Sequence, residues 1–122
     1  MKQEKNIKQN IKYWLAGSEK DFDAAKGLYK LKHYPQCLFF CHLSLEKILK
    51  AIVVKRIKDY APFIHDLRRL SEIAGIELDT EKKKILDAIF TFNIAGRYAE
   101  EKFDFYKIDL LPNKLRNEIF RF

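Results

Sequence analysis

Apolar residues recur at intervals of three and four along most of the chain, which is the period of an amphipathic helix. The first segment with this period runs from about Asn6 to Leu31, with Lys, Glu and Asp on its opposite face. Its stripe consists of Ile7, Ile11, Trp14, Leu15, Ser18, Phe22, Ala25, Leu28 and Tyr29. An alternating strand pattern is found nowhere in the sequence. The first segment is therefore predicted to be an amphipathic helix.

The pattern changes between residues 37 and 54, where apolar side chains point in every direction around a helix. They are Cys37, Leu38, Phe39, Phe40, Cys41, Leu43 and Leu45. Pro35 suits the first turn of a helix, because its missing N–H has no partner there anyway. A helix that is apolar all round is a buried helix, and this one carries too many charges to span a bilayer. We predict a central core helix that extends to about Lys58.

Two further helices are predicted after Pro62. The third ends at Gly75, which suits a left-handed cap, and Asp79 or Thr80 caps the fourth. The apolar residues of these two helices are Leu67, Leu70, Ile73 and Ala74, then Ile85, Leu86, Ile89, Phe90 and Phe92. Pro112 is expected to open a last, short helix. The sequence thus predicts an all-α fold, an antiparallel up-and-down bundle of four main helices plus a short C-terminal helix.

Composition narrows the class of protein. A chain of 122 residues with 48% hydrophobic and 34% charged residues is ordinary for one globular domain, here residues 1–122. Cys37 and Cys41 lie four apart on one helix, which is a poor arrangement for a disulfide, and a thiol-bearing core fits a reducing compartment. The first residues lack the apolar core of a signal peptide. We therefore expect a cytoplasmic protein with no membrane association.

The net charge of +7 is placed unevenly along the chain. Residues 1–75 hold 15 of the 24 basic residues but only 8 of the 17 acidic ones. One interpretation is an anionic partner, RNA or a nucleotide, for this basic half. The other is that Lys side chains simply solvate the helices, and the sequence does not decide between them.

Signatures of common enzyme classes are missing from the sequence. It has no glycine-rich phosphate loop, no Cys-x-x-Cys and no His-Glu-x-x-His. His33, Cys37 and Cys41 follow one another at one-turn spacing, but no fourth ligand is near, so they are interpreted as packing residues. We expect no metal ion and no cofactor.

Ionisable residues on the central helix form the first candidate site. His42, Glu46 and Lys50 share one face at one-turn spacing. The simple interpretation is a Glu–Lys pair beside a packed imidazole, and the functional one is a charged site inside the bundle. Because Arg97 follows a strongly apolar helix, its guanidinium is expected to pair with the Glu46 carboxylate. Tyr98 adds an aromatic face with a polar tip.

Five short segments stand out along the chain. They are Tyr13-Trp14-Leu15 with Asp21, Tyr34-Pro35, Leu45-Glu46-Lys47-Ile48-Leu49-Lys50-Ala51, His65-Asp66-Leu67 with Leu70, and Arg97-Tyr98. In this order, and over nearly the whole chain, they resemble the HEPN domain family. The resemblance implies an up-and-down helical bundle that is often dimeric. Members of the family that the chain resembles include metal-independent ribonuclease toxins, non-catalytic forms that bind RNA or a nucleotide, and partners of small MNT nucleotidyltransferases encoded beside them.

The sequence departs from the catalytic members of that family after Arg97. In those members four to six residues separate the Arg from a following His, whereas no His follows His65 in this chain. Without it the usual general acid–base group is missing, and Lys102 suits phosphate binding better than proton transfer. We therefore predict a non-catalytic binding and assembly module that forms a homodimer. Its partner is predicted to be either a small nucleotidyltransferase, as in toxin–antitoxin pairs, or a nucleotide or RNA. The alternative is a ribonuclease with a divergent site in which Arg97 is catalytic. The predicted ligand-binding residues are Glu46, Lys50, Arg97, Tyr98 and Lys102.

Overall fold

The computed structural model describes the backbone of residues 6–97 and the side chains of residues 6–91 and Asn93. This part of the chain forms four helices, α1 (Ile7–Lys30), α2 (Tyr34–Ile57), α3 (Leu67–Ile73) and α4 (Thr80–Arg97). The predicted all-α bundle of four main helices is confirmed, and the predicted short helix after Pro112 lies outside the described residues. Among residues 6–97, none of the helices is long and apolar enough to cross a bilayer.

The helices begin and end where local chemistry favours it. Pro35 lies in the first turn of α2. The Asp66 side chain accepts hydrogen bonds from two backbone N–H groups at the start of α3, and Asp79 accepts one from the Lys82 N–H at 2.8 Å at the start of α4. These bonds satisfy N–H groups that have no partner within a helix. The predicted cap at Gly75 is confirmed by its positive φ of 75°.

Helices α1 and α2 form an antiparallel hairpin that is joined by reciprocal hydrogen bonds between two serines. The Ser18 hydroxyl donates to the Ser44 carbonyl at 2.9 Å, and the Ser44 hydroxyl donates to the Ser18 carbonyl at 3.0 Å. Both serines are buried. On the same face, Lys47 pairs with Asp21 at 2.7 Å between Nζ and Oδ2. Because serine side chains are small, the two backbones come close enough to bury polar groups that satisfy each other.

Helix α3 runs alongside α2 in the same direction. Just before α3, His65 contacts Glu46 in the middle of α2. Just after α3, Gly75 lies against the guanidinium of Arg56 near the end of α2. His65 precedes Gly75 in the chain, and the α2 residue beside it, Glu46, likewise precedes Arg56. The two helices are therefore parallel.

Helix α4 then returns antiparallel to both. Arg68 at the start of α3 pairs with Asp87 in the middle of α4 at 3.2 Å, whereas Lys83, one turn earlier in α4, lines the same pocket as the later α3 residue Glu72. Beyond Asp87, Phe90 stacks on His42 of α2 at 5.9 Å between ring centroids. This contact shows which residues of α2 and α4 lie at the same height along the bundle axis.

The core lies between α2 and the other three helices. Its fully or nearly fully buried apolar residues include Ala25, Cys37, Leu38, Val53, Leu67, Leu70 and Ile89. The expectation that α2 is buried all round is only partly right, because Phe39, Ile48 and Ile52 are 36–39% exposed. Within the described residues, the three helices packed around α2 cover most of its circumference and leave narrow strips of its surface exposed between them.

Substitution by Ala is expected to change the free energy of unfolding in opposite directions at Gly75 and Gly27. We expect Gly75→Ala to lower the free energy of unfolding by about 1–2 kcal/mol, because its left-handed backbone strains any residue with a Cβ. The added carbon would also displace the Arg56 guanidinium. Gly27 is in α1 with nothing within 4 Å of an added Cβ, so Gly27→Ala should raise the free energy of unfolding by up to about 1 kcal/mol. Urea denaturation of both variants checks the pair, and equal effects of the same sign would contradict it.

Candidate functional site

The candidate site is built on one face of α2, where helical spacing stacks His42, Glu46 and Lys50 one turn apart. All three are buried, with 0%, 7% and 5% of their surface exposed. An isolated charge at such a depth costs several kcal/mol, so each ionised group here needs a partner.

Hydrogen bonds from three nitrogens converge on the Glu46 carboxylate. His42 Nε2 lies 3.0 Å from Oε1, and Lys50 Nζ donates to Oε2 at 3.0 Å. His65, in the loop before α3, places its Nδ1 3.0 Å from the same Oε2. The side chain of His65 is 54% exposed, so it connects the buried carboxylate to the surface.

Aromatic rings from two other helices close the cluster. Lys50 Nζ lies 5.2 Å from the centroid of the Trp14 ring of α1, a cation–π distance. The Trp14 ring is held by a hydrogen bond from its Nε1 to Asn10 at 3.2 Å. On the other side, His42 stacks on Phe90 of α4. The cluster thus connects α1, α2, α4 and the loop before α3.

The pKa of Glu46 reports which of these influences dominates. Burial alone would raise this pKa, but hydrogen bonds from His42, Lys50 and His65 outweigh burial and lower it from 4.5 to about 2. Glu46 is therefore ionised at neutral pH. A carboxylate with so low a pKa is a poor proton carrier, and its role here is to hold the three nitrogens in place.

Two buried polar side chains have atoms that find no hydrogen-bond partner among the described residues. They are His42 of the cluster, at Nδ1, and Asn93 of α4, at both polar atoms of its carboxamide. When His42 donates from Nε2 to Glu46, its Nδ1 is an acceptor. A carboxylate that orients an imidazole in this way is also the arrangement of a general base. However, His42 is fully buried, so Nδ1 has no open path to a macromolecular substrate.

The structure brings together two of the five predicted ligand-binding residues, Glu46 and Lys50. The Arg97 side chain, Tyr98 and Lys102 lie outside the part of the chain that is described. The backbone of Arg97 is two turns beyond Phe90 in α4, whereas Glu46 is one turn from His42 in the opposite direction. Since α4 is antiparallel to α2, the two residues differ by about 16 Å along the bundle axis. Their pairing stays a prediction.

Sequence reasoning missed the contribution of His65. This residue is 19 positions from Glu46 and has no helical period in common with it. The sequence offered only a weak signal, its place directly before the Asp66 cap of α3.

Metal coordination has little support in the described residues. Among residues 6–97, no group of three or more His, Cys, Asp or Glu side chains could hold a metal ion. The Lys50 ammonium would repel a cation from the Glu46 cluster. Cys37 and Cys41 are buried free thiols, and His33 is exposed at the start of α2.

Comparison with known proteins gives one family. Neither the curated proteins nor the solved structures contain a match to this chain. A family model described as HEPN domain matches residues 11–113, which includes all of α2, α3 and α4 and most of α1. The order of the helices agrees with the segments that suggested the resemblance. The chain therefore belongs to the HEPN domain family.

Proposed function

We propose that this HEPN domain is a non-catalytic binding and assembly module. It forms a homodimer and docks a small nucleotidyltransferase, as in toxin–antitoxin pairs, or binds a nucleotide or RNA. The observation that carries the proposal is the state of Glu46. Its carboxylate accepts hydrogen bonds from three nitrogens inside the bundle, an arrangement that organises the surrounding elements and makes the carboxylate a poor proton acceptor.

The residues around Arg97 support the same proposal. The catalytic pattern of the family needs a His shortly after the Arg, and this chain has Glu100, Glu101 and Lys102 there. Two carboxylates would repel an approaching phosphate, and Lys102 offsets only one of them. Arg97, Tyr98 and Lys102 remain proposed ligand-binding residues together with Glu46 and Lys50.

A ribonuclease with a divergent site is the second candidate. The hydrogen bond between Glu46 and His42 favours it, because a carboxylate-oriented imidazole is the usual base for activating a 2′-OH. The full burial of His42 argues against it, since RNA would have to enter the bundle to reach the ring.

The purified protein is expected not to cleave RNA. The measurement is incubation of mixed RNA with protein prepared free of host nucleases, beside the Arg97→Ala and His42→Gln variants. Undegraded RNA in all three samples is the expected result, because the acid–base group of the family is missing.

The two variants separate the explanations if cleavage occurs. Cleavage by the wild type that is lost in either variant would contradict the proposal and place the reaction at that residue. Cleavage that persists in both would show a contaminating nuclease. Calorimetric titration of the protein with a small nucleotidyltransferase and, separately, with a nucleotide would distinguish partner docking from nucleotide binding.

A further inference from the structure

The hairpin of α1 and α2 has two sides, which flank the contact between the two helices. On one side Lys47 pairs with Asp21 at 2.7 Å between Nζ and Oδ2. Each residue of a helix is turned by about 100° from the one before it, so the residues that directly follow this pair lie on the opposite side. Residues one or two turns away share that orientation. The apolar side of the hairpin therefore consists of Leu15, Phe22, Ile48 and Ile52.

The apolar side is exposed and continuous. Each of its four residues is 36–45% exposed. Ser18 and Ser44 face each other across the hairpin. Leu15 and Ile48 lie about one turn from these serines in the same direction along the bundle axis, because the helices are antiparallel, and they are therefore at nearly the same height. A continuous apolar area, in contrast to single exposed residues, marks a place where another element binds.

The charged residues that border the apolar side are mostly basic. Residues three or four positions apart are neighbours on a helix surface. The charged residues at these distances from the four apolar ones are Lys12, Glu19, Lys26, Lys55 and Arg56. Even when Asp23 is included, which pairs with Lys26 at 3.8 Å, four basic residues stand against two acidic ones. The surface thus suits an occupant that combines apolar side chains with carboxylates.

The segment that follows α4 has this composition. Residues 98–111 hold four acidic and two basic residues, a net charge of −2 in a chain whose net charge is +7. Their large apolar side chains are Tyr98, Phe103, Phe105, Tyr106, Ile108, Leu110 and Leu111. The family match extends to residue 113, so this segment is part of the HEPN domain.

The end of α4 gives the segment access to the apolar side. Phe90 stacks on His42, and Arg97 lies seven residues later in α4. Since α4 is antiparallel to α2, Arg97 is near the height of Pro35, at the start of α2. The far end of the apolar side, Ile52, is about 26 Å from that height along the axis. Fourteen residues reach at most roughly 46–50 Å, which is enough to cross the end of the bundle and follow the hairpin.

We propose that residues 98–111 cover the apolar side of the hairpin in the same chain. Their apolar side chains pack on the four apolar residues, and their carboxylates lie beside the bordering lysines. The inference goes beyond the proposed function and requires no ligand. It also brings Tyr98 and Lys102, two of the proposed ligand-binding residues, to the hairpin.

Limited proteolysis of the full chain by chymotrypsin tests this contact. The enzyme cuts after aromatic residues, and its rate in this segment follows the fraction of molecules in which the segment has left the hairpin. Ile48→Asp places a charge in the contact and should raise the rate of cleavage within residues 98–111 about tenfold. The double variant Lys12→Glu with Lys55→Glu changes two exposed side chains and should raise the rate in the same direction. Ile57→Asp is the matched control, because Ile57 is 43% exposed and lies nine residues after Ile48, on the far face of α2.

The results separate the possible occupants. Faster cleavage in Ile48→Asp and in the double variant, but not in Ile57→Asp, supports the contact, and equal rates in the wild type and all variants overturn it. Nuclear Overhauser contacts between the methyl groups of Ile48 and Ile52 and the aromatic rings of residues 98–111 are expected in the wild type, and their absence overturns the inference. Contacts that appear only between differently labelled chains in a mixed sample would assign the segment to a second copy and overturn the same-chain contact. Circular dichroism of each variant verifies that it is folded.

Discussion

Glu46→Ala is expected to lower the free energy of unfolding by about 3 kcal/mol or more, because removing one partner of a buried ion pair leaves the other charge unpaired. The stranded group is Lys50, which is 5% exposed. His42, fully buried, loses its hydrogen-bond partner at the same time. Urea denaturation at neutral pH measures the change.

Two matched variants show whether the loss comes from this cluster. Asp87→Ala breaks the half-exposed pair with Arg68 and should cost no more than about 1 kcal/mol. Arg97→Ala tests the predicted pairing with Glu46 and should have little effect if the register of α2 and α4 keeps the residues apart. A loss below roughly 0.5 kcal/mol in Glu46→Ala, the scale of an exposed pair, would mean that the cluster is not coupled to folding.

Lowering the pH should remove the stabilisation contributed by ionised Glu46 in the wild-type protein. The pKa of Glu46 is lowered from 4.5 in the unfolded chain to about 2 in the folded one. A lowered carboxyl pKa stabilises the fold fully above the unfolded value, and this stabilisation is lost as the pH falls through the folded value. The window is therefore between about pH 5 and pH 2, and the contribution is about 3 kcal/mol.

Glu46→Gln isolates this contribution from the other carboxylates, which titrate in the same range. At neutral pH the wild type should be more stable than Glu46→Gln by about 3 kcal/mol, and the difference should shrink towards zero as the pH approaches 2. A difference that stays constant over that range would show that the charge of Glu46 is not the stabilising feature. Denaturation curves at closely spaced pH values give the comparison.

The charged cluster reaches the surface of the bundle at His65. This side chain bonds Glu46 at one end of the cluster and is 54% exposed. We therefore expect loss of Glu46 to release the loop before α3 as well as to destabilise the fold. The buried ionised groups thereby position a loop at the surface of the bundle.

The sequence by itself determined the four helices, their ends and the family. Helical period and caps are local properties, so the spacing of apolar and polar residues and capping residues such as Gly75 and Asp79 were sufficient. The stacking of His42, Glu46 and Lys50 also followed from one-turn spacing. These features depend on neighbours within four residues along the chain.

Only the tertiary structure decided what Glu46 contacts beyond its own helix. Periodicity shows which face of a helix is buried but not which element covers it, and the parallel course of α3 beside α2 brought His65 to the carboxylate. The antiparallel course of α4 set Phe90 on His42, a contact between residues far apart in the chain that no local pattern could show.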